Sequence, residues 1–96
     1  MAKTTEEAIN FLLRNFYGSY SEWYVGVTAS PDQRLFTDHG VSRSNDSWAY
    51  VPCVNDSVAR ATEIRFIKMG MDGGPGGGDS AAKTVYIYRK SYRTNP

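Results

Sequence analysis

The apolar positions of the first third of the chain recur at helical spacing. Ala8, Ile9, Leu12, Leu13 and Phe16 predict a helix over 5–17 with one buried stripe. Thr4 and Glu7 stand at capping-box spacing before it, Glu6 and Glu7 favour its positive end, and Gly18 follows as a stop. The pattern then changes to alternation. Trp23-Tyr24-Val25-Gly26-Val27-Thr28 predicts a strand with Trp23, Val25 and Val27 on one face and Tyr24, Gly26 and Thr28 on the other. Ser30-Pro31-Asp32 is a helix entry, Leu35 and Phe36 would anchor that helix, and Gly40 would end it. A polar loop with a turn at Asn45-Asp46 leads to a second strand, Trp48-Ala49-Tyr50-Val51, stopped by Pro52.

Asn55-Asp56-Ser57 caps a third helix over 58–69. Its apolar residues Val58, Ala61, Ile64 and Ile67, with Ala59 and Phe66 alongside, predict a broad buried face. Glu63 interrupts that face, lying among Ala59, Phe66 and Ile67 at helical-neighbour spacing. Residues 70–79, rich in glycine, predict a loop, and Thr84-Val85-Tyr86-Ile87-Tyr88-Arg89 a final alternating strand. The order α-β-α-β-α-β predicts one α+β domain over 1–96, with a small three-stranded, mainly antiparallel sheet flanked by about three helices.

A chain of 96 residues has a thin core, and its seven Tyr, four Phe and two Trp are efficient filling for it. Basic and acidic residues nearly cancel, 11 against 10, so any phosphate-binding surface must come from local clustering. The run Arg89-Lys90-Ser91-Tyr92-Arg93 is one such cluster, or a solvated basic tail. The single cysteine, Cys53, excludes an intramolecular disulfide and a multi-cysteine zinc site. The polar, acidic start is unlike a signal peptide and no apolar run approaches membrane-spanning length, so a cytoplasmic protein with no membrane partner is expected.

Several residues carry candidate chemistry. Gly26 within a strand marks close approach by another backbone or a ligand. Arg34 offers a planar fork of donors for phosphate charge, or is a surface arginine of an amphipathic helix. His39 is the only histidine, a candidate base or a helix-end residue. Glu63 can bind a hard divalent cation, or form a salt bridge at the helix rim. Tyr24, Tyr86 and Tyr88 have hydroxyls that can act in proton transfer, or fill the core. The glycine-rich segment lacks the Gly-Lys-Ser/Thr of a P-loop, which leaves a flexible connector.

Taken together, Tyr24-Val25-Gly26-x-Thr28, Arg34 ten residues after the tyrosine, Leu35 and His39 resemble the second half of the GIY-YIG nuclease motif. The aromatic strand at 48–51, then Ser57, Ala59 and Glu63, is similar to that family's later strand and its glutamate-bearing helix. The family's first strand does not precede Tyr24 here, but Val85-Tyr86-Ile87-Tyr88-Arg89 looks like such a strand moved to the end. The chain thus resembles a circularly permuted GIY-YIG domain over residues 23–89, with the helix at 5–17 added before it.

The resemblance implies Tyr24 and Tyr86 as the two motif tyrosines, one of them a candidate base. It implies Arg34 and His39 as further catalytic residues and Glu63 as ligand of one Mg²⁺; Gly26, by its place in the strand, and Arg89 and Lys90, by their basic cluster, are candidate binding residues. His39 departs from the pattern, standing five residues after Arg34 where the family places its group at four, a position held here by Asp38; one residue on an α-helix turns a side chain by about 100°. Two functions follow. One is Mg²⁺-dependent, endonuclease-type cleavage of phosphodiester bonds, with a nucleic acid as partner. The other is a catalytically silent GIY-YIG-like binding or inhibitory protein of phage or mobile-element type, with a protein partner or a small nucleotide.

Overall fold

The two faces of one sheet divide the apolar residues between them. The computed structural model describes residues 2–73 and 81–96. β1 (Trp23–Thr28), β2 (Trp48–Pro52), β3 (Asp72–Gly73) and β4 (Thr84–Arg89) form a mixed sheet in the order β2-β4-β1-β3. β4 is antiparallel to both β1 and β2, and β3 runs parallel to β1. Period-2 alternation places Trp23, Val25, Val27, Ala49, Val51, Val85 and Ile87 in one core, and Tyr24, Trp48, Tyr50, Tyr86 and Tyr88 in another. The architecture is α+β as expected, with four strands rather than three.

The extra strand has a physical origin. α2 (Asp56–Met69) ends at Gly70, whose φ of +122° turns the chain back along β1. Met71 is buried, and Asp72 and Gly73 then pair with Tyr24 and Val25. Gly73 comes close to the Val25 carbonyl, where a Cβ would lie 3.0 Å from its oxygen. Two residues are too few to show alternation, and their glycine-rich setting reads as loop. The remainder of the expected loop, 74–79, lies outside the described residues.

α1 (Thr5–Leu12) and α2 cover the first face of the sheet. The α1 capping box is formed, with the Thr4 amide donating to Glu7 at 3.0 Å. The helix is shorter than expected. It tightens into a 3₁₀ turn at Leu13–Asn15, and Phe16 is extended, its ring stacked on Tyr20 at 4.5 Å and packed on Trp23 at 5.2 Å. α2 starts two residues earlier than expected, and the Asn55 side chain accepts from the Val58 amide at 2.8 Å. Lys3 bridges to the end of β2: its amide donates to the Pro52 carbonyl at 2.9 Å. Pro52 itself sits on an edge strand, where a missing donor is tolerated. Cys53 is buried nearby, and burial pushes its thiol up.

The buried face of α2 differs from the expected one. Ala59, Thr62, Glu63 and Phe66 are buried, whereas Ala61 is exposed and Ile64 is 45% exposed. The apolar residues of this helix fall on two faces, so their number did not identify the inward one. Thr62 turns inward at small cost because its hydroxyl donates to the Val58 carbonyl at 2.8 Å. Among the described residues no helix is long and apolar enough to cross a membrane.

This assignment of faces separates two substitutions on one helix. Phe66→Ala is expected to cost about 3–5 kcal/mol of unfolding free energy. Ile64→Ala is expected to cost under about 1 kcal/mol. Urea unfolding of both variants measures the contrast, and equal losses would contradict it.

Candidate active site

Tyr86 sits in the central strand of the sheet, directly across from Gly26. Its ring lies over the glycine: a Cβ on Gly26 would stand 2.7 Å from Tyr86 Cε2 and overlap the hydroxyl end of the ring. The group that closely approaches Gly26 is therefore this phenol. Tyr88 is opposite Tyr24 in the same register, and their rings stack at 5.3 Å. The aromatic face is closed by the segment between β1 and β2, through Leu35 and Val41.

That segment supplies both Arg34 and His39. After Pro31 and Asp32 it runs as a π-helix, Gln33–Asp38, rather than an α-helix. The His39 amide donates to the Arg34 carbonyl at 2.9 Å, a bond spanning five residues. In this wider turn, i+5 takes the place that i+4 takes in an α-helix. Arg34 and His39 both face Tyr86. Gly40, at φ +72°, ends the turn.

His39 is 4% exposed and has partners on both ring nitrogens. Nδ1 lies 2.7 Å from the Asn95 carbonyl oxygen, and Nε2 lies 2.7 Å from the Tyr86 hydroxyl. A carbonyl can only accept, so Nδ1 carries the proton of the neutral ring. Nε2 is then the acceptor and Tyr86 O–H the donor. The Tyr88 hydroxyl lies 3.2 Å from Nδ1, beside the Asn95 oxygen. Tyr24 packs on the imidazole at 4.8 Å between centroids.

Electrostatics at Tyr86 run in two directions. Burial pushes its phenol up to about 12, while the Arg34 guanidinium alongside pulls it back. The phenol is thus neutral at pH 7 even with Arg34 beside it. Proton transfer from Tyr86 therefore needs the adjacent Nε2. Burial lowers His39 below the ordinary histidine range, the Asn95 carbonyl opposes this, Arg34 lowers it further and Asp38 opposes. The ring is thereby kept neutral, with the Nε2 lone pair available to the Tyr86 hydroxyl. Burial also works against the charge of Arg34, but Tyr86 and Asp38 outweigh it. Arg34 donates to Asp38 at 3.0 Å, and its side chain is 43% exposed.

Glu63 comes from the opposite layer. It is 3% exposed and accepts from Arg60 at 2.6 Å. Burial raises its pKa and Arg60 only partly offsets this. Its influence at Tyr86 is a weak push against ionisation. Among the described residues no cluster of three or more His, Cys, Asp or Glu exists, so a metal here would rest on this one carboxylate. Arg89 and Lys90 stand apart at the end of the sheet, paired with Glu22 at 3.3 Å and Asp72 at 3.4 Å. With Tyr17, Ser47 and Arg93 they line a polar cleft of about 140 Å³.

Tyr24, Arg34, His39 and Tyr86 thus meet at one place, while Glu63 stands on α2 in the opposite layer, paired with Arg60. No protein-family model, curated protein or solved structure matches this chain.

The salt-bridge alternative for Glu63 is met by Arg60, three residues before it. The Asn95 carbonyl at His39 escaped sequence reasoning, because a backbone acceptor carries no residue-type signal. The π-helix was hinted at only by the five-residue interval from Arg34 to His39.

Gly26→Ala is expected to cost about 1–3 kcal/mol by overpacking against Tyr86. Its urea midpoint measures this, and an unchanged midpoint would show that the notch is not needed. His39 also gives stability a pH dependence. Its folded pKa is depressed, so the unfolded chain binds more protons once pH falls below about 6.5. The stability it contributes is complete above that pH and lost as pH falls toward the folded pKa. Glu63, whose pKa is raised, acts with the opposite sign. The stability gap between wild type and His39→Gln should therefore be larger at pH 7.5 than at pH 5.5, and a constant gap would contradict this.

Proposed function

We propose that this chain is a GIY-YIG-like domain that hydrolyses phosphodiester bonds of nucleic acid with Mg²⁺. The observation that carries the reading is the Tyr86 hydroxyl donating to His39 Nε2 with the Arg34 guanidinium alongside. The half-exposed Arg34 side chain binds the scissile phosphate and orients it, with Tyr24 at its side. As water attacks, the Tyr86 oxygen takes its proton while passing its own to His39 Nε2. The resulting imidazolium keeps its Nδ1–H on Asn95, and Asp38 favours its charge. Glu63 would hold the cation, and its raised pKa marks a buried carboxylate that gains from a positive partner. When bound, Mg²⁺ supplies Lewis-acid stabilisation of phosphate charge.

The silent binding protein is the second reading, and one observation favours it. Arg34 is paired with Asp38, Glu63 with Arg60, and Tyr86 is 1% exposed. The charged members are thus balanced internally, as in a site that recognises without turning over. On this reading the partner is a protein or a small nucleotide.

Cleavage of labelled DNA and RNA panels with and without Mg²⁺ separates the two. Hydrolysis is expected with metal, and Arg34→Ala should reduce it about 10²–10³-fold. Glu63→Gln should abolish the metal-dependent cleavage. Absence of turnover on every substrate, with retained binding, would replace the nuclease by the binder.

A further inference from the structure

The proton on His39 is set by a segment far from it in sequence. Asn95 grips the histidine at two points: its amide donates to the His39 carbonyl at 2.8 Å, and its carbonyl oxygen is 2.7 Å from Nδ1. Residues 91–95 form a strap with its own internal bonds. The Ser91 amide donates to Thr94 Oγ1 at 3.0 Å, the Thr94 amide donates to the Ser91 carbonyl at 3.1 Å, and Thr94 is buried. Arg93 latches the strap to the loop before β2. Its Nη2 is 2.5 Å from Asp46 Oδ1, and the Asp46 side chain is only 3% exposed. Asp46 is held in turn by the Ser42 amide at 2.8 Å. Gly40 lets the strap pass closely: a Cβ there would lie 3.1 Å from the Arg93 carbonyl oxygen.

We infer that this strap is a positioning element, which fixes His39 as its Nδ1–H tautomer through the Asn95 carbonyl and is held in place by the Arg93–Asp46 ion pair. The alternative tautomer is built into the same pocket. Tyr88 has a hydroxyl 3.2 Å from Nδ1 that can donate as well as accept. With the Asn95 carbonyl removed, that hydroxyl can donate to a bare Nδ1, and the proton moves to Nε2. Tyr86 then loses its acceptor. The strap decides between these states because its carbonyl can only accept. The other groups facing the imidazole are the rings of Tyr24 and Tyr86, with Arg34 and Asp38 acting at longer range. The consequence for catalysis rests on the proposed Tyr86–His39 relay, whereas the tautomer itself does not.

The chain has one histidine, so imidazole ¹⁵N signals need no assignment. In the full chain, above the pH where His39 titrates, ¹⁵N NMR is expected to show a protonated Nδ1 and a bare Nε2. Deletion of residues 93–96 is expected to shift the ring to Nε2–H or to an averaged mixture, with the sheet signals of β1 and β4 retained. Arg93→Gln, which keeps Asn95, should give a partial shift, and it decides the matter if the deletion unfolds the chain. Where cleavage is measurable, loss of the tautomer should reduce it about 10²–10⁴-fold and move its pH profile. An Nε2–H ring in the full chain overturns the inference, as does an unchanged Nδ1–H ring in a folded variant lacking the strap or its latch. Absent cleavage with the expected NMR shift would count against the nuclease alone.

Discussion

A buried phenol must find an acceptor, and much of this structure follows from where Tyr86 finds one. The ring occupies the notch at Gly26, which places the hydroxyl inside the aromatic face and out of water. Leaving it unpaired there would cost about 1–3 kcal/mol. His39 Nε2 meets the need, but a buried imidazole has a second nitrogen to satisfy. The Asn95 carbonyl does that. Each step in this chain imposes a local conformation: the π-helix aims the histidine, and Gly40 clears the path for the strap. A sequence of polar debts, each met by the next group, thus joins the central strand to segments remote in sequence.

Two buried carboxylates show how environment sets the charge of a group. Asp46 and Glu63 are each 3% exposed at the side chain and each is paired with an arginine. Their pKa values nonetheless move in opposite directions. Burial raises both, but Asp46 is brought below its ordinary value by Arg93, the Ser42 amide and Ser91. Glu63 has Arg60 against a desolvation that still dominates. Removing one partner from such a pair leaves an uncompensated buried charge, so both pairs constrain their surroundings. Asp46 is held in its charged form by several donors and serves as an anchor. Glu63 keeps its charge less readily, because desolvation outweighs its one arginine.

The local features were legible because local chemistry causes them. Alternation located β1 and β4, the Thr4–Glu7 box located the start of α1, and Asn55 located the start of α2. The failures have one common source, in that tertiary contacts outweighed local pattern. β3 exists because β1 has an open edge, and its two residues carry no strand signal of their own. The inward face of α2 was set by Ala59 and Phe66, with Thr62 and Glu63 satisfied by hydrogen bonds, while Ile64 was left outside. The Tyr, Arg and His residues that gather on the aromatic face could be picked out as residue types along the chain. The backbone groups that orient them could not, since the π-helix and the Asn95 carbonyl are properties of the path of the chain.

The order of the strands bears on the rearrangement suggested by the motif. β4 is last of the four strands in sequence and central in space, paired over six positions with β1 and five with β2. Every catalytic candidate on the aromatic face touches it or lies beside it. A sheet ladder depends on register and direction, and it is indifferent to which loop delivers the strand. Moving such a strand from one end of a chain to the other therefore preserves its cross-strand pairs, provided the new connection reaches. What it changes is kinetics: Gly26 and Tyr86 are joined across most of the chain, so the loop-closure entropy must be met before their contacts form. The site then comes into being only when the last strand enters the sheet, and the strap that follows that strand is delivered to His39 by the same event.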